Sequence, residues 1–142
     1  MSKSHVFENQ LLQLIFHGTA IPNFAQNGTT PITQIFVALH TADPGEAGNQ
    51  STNEIAYTGY TRVGVARSAA GWTITGNSVS PVAHVEFGEM TGGAGGAATH
   101  VTFGTDATGA GTVLYRGALT PTIAVALGVT PRVRNTSAIT EE

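Results

Sequence analysis

The chain has 142 residues, no cysteine, and six Lys/Arg against nine Asp/Glu, for a formal net charge of −3. The missing cysteines exclude disulfides, thiolate metal sites and a cysteine nucleophile. One lysine and five scattered arginines do not build the basic patch that nucleic acid requires, so no nucleic-acid partner is expected.

No apolar run approaches the length of a membrane span, and the N-terminus lacks the pattern of a signal peptide, so no membrane partner is expected. The length suggests one domain, assigned to residues 1–134, with a polar tail at 135–142 that should fray. Charged residues are only 11% of the chain, so Thr, Ser, Asn and Gly must supply the polar surface. A surface with few charges desolvates easily. That fits a self-associating protein, and it fits equally a Thr-rich β-protein.

Ser4 is placed to cap a helix over residues 5–17. Phe7, Leu11, Leu14 and Ile15 make one apolar face, widened by Leu12 and Phe16, and Gly18 stops the helix. The helix either closes one end of the fold or packs on a partner subunit. Residues 21–31 read as loop from Pro22, Asn23, Asn27, Gly28 and Pro31. Ile35 to Leu39 is a short apolar run, the signature of a strand covered on both faces. Arg62 to Arg67 is a second strand, with a bend at Gly64. Between them lie about twenty residues of low apolar content, long enough to be functional or an interaction arm. Such an arm should be removable without unfolding the domain.

Trp72 to Thr75 alternates, Gly76-Asn77 turns the chain, and a hairpin continues to Ser80. Trp72 is assigned to the core. Val82 to Phe87 alternates again. Gly92 to Gly96 reads as a flexible connection. Thr99 to Phe103 should point Val101 and Phe103 inward, with His100 and Thr102 outward. Thr112 to Arg116 and Ile123 to Leu127 are further strands, separated where Pro121 limits pairing. Val129 to Val133 carries Pro131 and suits an edge. About eight short strands with turns between them argue for an antiparallel sandwich or barrel. The expected fold is all-β: a jelly-roll-like antiparallel β-sandwich with one N-terminal amphipathic helix.

Several stretches carry a resemblance. His40-Thr41-Ala42-Asp43-Pro44-Gly45-Glu46, Asn53 to Arg62, Gly71-Trp72-Thr73, Gly76 to Pro81 and Leu119-Thr120-Pro121 resemble a family of small virion proteins of tailed bacteriophages. The likeness runs from about Leu11 to Arg132. Members are often labelled tail-fibre proteins, and some look like cement proteins that coat the head shell. The resemblance implies a structural role in the virion. The leading expectation is a capsid cement protein on the outer head surface, assembled in the host cytoplasm. Its partners would be the major capsid protein and further copies of itself, as a dimer or trimer. The alternative is a tail-fibre or baseplate component that contacts the host surface.

Four groups of residues are candidates for chemistry. Asp43, Glu46, Asn49, Asn53 and Glu54 offer oxygen ligands in one loop, but not at the spacing of an EF-hand. His40 and Asp43, with Ser51 or Thr41, lack the surrounding motif of a hydrolase. His84, Glu86 and His100 are outward candidates for zinc on adjacent strands. The glycine run lacks the Lys-Ser/Thr of a phosphate loop. No catalytic residue, metal site or cofactor is therefore expected. The expected contact residues are His40, Asp43, Glu46, Glu54, Tyr57 and Tyr60, all on the long loop or at its edges.

Overall fold

The computed structural model describes residues 4–21 and 31–141, apart from the side chains of His5 and Phe7. The expected turns at Pro22 to Thr29 and the contribution of Phe7 lie outside the described residues. The fold is all-β with antiparallel pairing, plus one short N-terminal helix. Its residues gather into two compact units. One comprises Met1–Gln34, Val65–His84 and Arg134–Glu142; the other comprises Ile35–Gly64 and Val85–Val133.

In the first unit, α1 (His5–Leu12) continues as a π-helical turn, Gln13–His17. Gly18 ends it in the left-handed conformation at φ 70°, with its N–H bonded to Gln13 O. The π-turn changes the phase of the helix. Leu12 and Phe16 are therefore the fully buried pair, while Leu11, Leu14 and Ile15 are only half-buried. The turn's carbonyls at Leu14 and Ile15 accept from the Arg67 guanidinium. Phe16 meets Trp72 edge-on, with ring centroids 4.6 Å apart at 61°, and His17 Nε2 donates to Trp72 O at 3.0 Å. Trp72 is 1% exposed, as a core residue should be. The helix thus packs on its own chain.

That chain supplies β3 (Trp72–Thr75) and β4 (Ser78–Pro81), paired in register Trp72↔Pro81 to Thr75↔Ser78. The tail from Asn135 was expected to fray. It instead forms β9 (Ile139–Thr140), with Ile139 opposite Val79. Asn77 clasps it, since Glu141 N donates to Asn77 O and Asn77 Nδ2 donates to Glu141 O.

A four-stranded sheet has the order β2-β1-β6-β7, formed by β1 (Gln34–His40), β2 (Val63–Ala66), β6 (Gly96–Gly104) and β7 (Val113–Val125); β1 from Ile35, β6 and β7 belong to the second unit. A two-stranded ribbon of β5 (Val85–Glu86) and β8 (Arg132–Val133) completes it. β7 is one strand of 13 residues. It was expected as two strands divided at Pro121. Pro121 is tolerated because β7 lies on the sheet edge, where one side of the strand needs no partner. The register slips there, from Ala98↔Ile123 to His100↔Ala118, so residues 119–122 form a bulge. The glycine run is also less free than its composition implies. Gly92 forms a bridge with Thr58, and Thr58 N donates to Gly92 O at 2.9 Å.

Candidate functional site

The stretch from Thr41 to Tyr60 was read as an arm. Its first part, residues 41–55, is a strap folded across one face of the β1-β6-β7 sheet. The face is defined by cross-strand pairs: Phe36↔Gly104, Ala38↔Thr102 and His40↔His100 between β1 and β6, and Thr102↔Arg116 between β6 and β7. Thr102 was expected outward, yet it is fully buried, as are Ala38 and His40. The strap is what covers them.

The strap leaves β1 and returns to it. Thr41 N donates to Asn53 O and Ile55 N to Leu39 O, each at 2.9 Å, so its last residues pair antiparallel to the end of β1. Two local turns shape what lies between. Asp43 Oδ1 accepts from Gly45 N, and Asn49 Oδ1 accepts from Ser51 N, both at 2.9 Å. Asn53 takes the left-handed backbone at φ 56°, which asparagine tolerates.

Four side chains fasten the strap. Arg62 divides its donors between the strap and the turn that joins β6 to β7. Nε and Nη2 grip Glu54 at 2.8 and 2.7 Å, Nη1 reaches Asp106 O at 2.9 Å, and Nη2 also reaches Gly109 O at 2.7 Å and Ser51 Oγ at 3.2 Å. This two-pronged carboxylate contact raises the Arg62 pKa further above its ordinary value. Gln50 is fully buried beneath the turn between β6 and β7. Its N–H donates to Ala110 O at 2.7 Å, and its Oε1 accepts from Asp106 N at 2.9 Å. Gly104 makes room for it: a Cβ there would come within 2.2 Å of Gln50 Cδ. His40 ties strap to sheet, with Nδ1 on Thr52 O at 2.9 Å and Nε2 on Thr102 Oγ1 at 2.8 Å. Arg116 holds the outer side, at 2.6 Å from Asp43 Oδ2 and 3.8 Å from Glu46 Oε1.

The six expected contact residues divide by exposure. Asp43 and Glu46 face solvent; the Glu46 side chain is 94% exposed. His40 and Tyr57 are buried, and Glu54 and Tyr60 are half-buried. Tyr57 Oη donates to Gly88 O, and Tyr60 Oη donates to Glu54 Oε1 while accepting from Leu39 N. The Tyr57 ring meets Tyr60 at a tilt of 58° with centroids 5.3 Å apart, and Tyr60 stacks on Phe87 at 6.0 Å. Burial raises the pKa of both phenols. These tyrosines pack the interior.

The oxygen-rich loop uses its ligands on itself. Asp43 holds Gly45 N and Arg116, Asn49 holds Ser51 N, and Glu54 holds Arg62 and Tyr60. His40 meets Thr52 and Thr102, while Ser51 Oγ donates to Gly109 O. His84 accepts from Asn135 N, Glu86 pairs with Arg132, and His100 bonds Thr99. Among the described residues no group of three His, Asp or Glu is placed to hold a metal ion. No helix among them is long and apolar enough to cross a membrane.

Arg62, Gln50, Thr102 and Arg116 were missed as site residues. Only Arg62 left a trace in the sequence, an isolated cation closing an acidic loop. The polar groups inside this unit hold the strap to the sheet, and the class defined is an all-β protein with one short helix. The family comparison extends this. The chain belongs to the Gp80 family, described as podophage GP4 fiber I protein gp80, whose model matches residues 2–139. It is a phage structural protein. No curated protein matches the chain.

Proposed function

We propose that this protein is a fibre component of a podophage virion, a shape-holding module that works by protein–protein contact. The carrying observation is the match of residues 2–139 to the fiber I model. The sequence reading placed head cement first and tail fibre second; the family description supports the second. Two features agree with a module that must keep its form while attached. The strap is fastened by buried polar contacts, and its exposed turn presents Asp43 and Glu46 to a neighbour. The chain assembles with copies of itself, as a dimer or trimer, along the β7 edge, which carries a single charge in 13 residues.

Gold-labelled antibody against the native protein, imaged on intact virions, tests the location. Label confined to the fibre region supports the proposal. Label spread over the head surface overturns it in favour of the cement role, with the major capsid protein as partner.

A further inference from the structure

We propose that His40 is an acid-sensitive latch: its protonation releases the strap, residues 41–55, from the sheet face beneath. Two hydrogen bonds set the protonation of the ring. Thr52 O can only accept, so Nδ1 carries the ring proton. Nε2 is then the acceptor, and the Thr102 hydroxyl donates to it. Both His40 and Thr102 are fully buried. A second proton on Nε2 forces the Thr102 hydroxyl to turn and accept, which leaves its own hydrogen facing a dry interior.

Thr52 O and Glu54 on the strap favour the new charge, but burial outweighs them, and Arg62 and Tyr60 already hold the Glu54 carboxylate. Arg62 itself and His100, opposite on β6, add repulsion. Burial is the largest influence on the imidazole and pushes its pKa below the ordinary 6.5. The sign follows. A folded-state pKa below the unfolded value means that stability is complete above about 6.5 and is lost as pH falls toward the folded value. Over that interval Asp43 stays ionised, because the Gly45 N–H and Arg116 hold its pKa below the ordinary carboxylate value. The Arg116 contact therefore survives while the His40 contact fails, and the strap opens from its Thr52 side. This inference does not depend on the fibre assignment.

Hydrogen exchange of the full chain between pH 7.5 and 5, corrected for intrinsic rates, reads the strap directly. Peptides over residues 41–55 should open up to about tenfold more per pH unit below about 6.5, the limit for one proton. In His40→Gln the rise should vanish, and in His100→Gln it should persist. A pH-independent wild-type strap, or an undiminished rise in His40→Gln, overturns the proposal. Should His40→Gln not fold, an NMR titration of the wild type decides. His40 is expected to titrate below 6.5 together with the Thr52 amide, and titration at or above 6.5, or without movement in the strap, contradicts the latch.

Discussion

Arg62 joins Glu54, Ser51 and the turn at Asp106 to Gly109 through a side chain that is only 3% exposed. Truncating Arg62 leaves the half-buried Glu54 carboxylate and two turn carbonyls without their donor, which costs about 1–3 kcal/mol. Arg62→Ala should lower the urea midpoint accordingly, whereas Arg132→Ala, in an exposed pair with Glu86, should cost under about 1 kcal/mol. The glycines give a second test. At Gly59 the backbone has φ +104°, and a Cβ would lie 2.2 Å from Glu89 O, a backbone atom that cannot step aside. At Gly104 the obstacle is the Gln50 side chain. Both Gly59→Ala and Gly104→Ala should destabilise, but only the second should be partly rescued by Gln50→Ala. A double-mutant cycle would register this as strong coupling.

At the scale of elements, the strap and the tail change the account most. The sequence reading treated the long loop as removable. The packing predicts the opposite: replacing Thr41 to Tyr60 by a short turn uncovers Ala38, His40 and Thr102 and strips out Ile55 and Tyr57. The loss of native circular dichroism, or of a cooperative urea transition, would show it. Truncating the chain after Ser137 removes β9 and half-buried Ile139, and should cost about 1 kcal/mol.

Local pattern was enough for β1, β3, β4 and the helix, because alternation and helical spacing are written in adjacent residues. It also gave the all-β class. It failed where distant groups decide. Arg62 and Gly109 are 47 positions apart, and nothing near either announces the contact. Thr102 looked outward because a strand's alternation names two faces but not what covers the second. Pro121 looked like a strand end because edge position is a property of the sheet. Ile139 was overlooked as a lone apolar residue in a polar tail. The contact residues fared similarly: Asp43 and Glu46 are on the surface, while Tyr57 and His40 were drawn inward by bonds to Gly88 and Thr102.

For the whole molecule, few charges, antiparallel sheets and interior polar groups committed to holding a strap agree with the proposal of a fibre module that works by protein–protein contact. Self-association along β7 predicts a discrete oligomer by light scattering, and Leu119→Lys on the bulge should shift it toward monomer without changing the circular dichroism. The central claim, that this phage structural protein serves in a fibre, is met most directly by its copy number in purified virions. Quantitative mass spectrometry against the major shell protein supplies that number. The account predicts a scarce component, far below the shell protein in abundance. Near-equal abundance would contradict it and restore the head-cement reading.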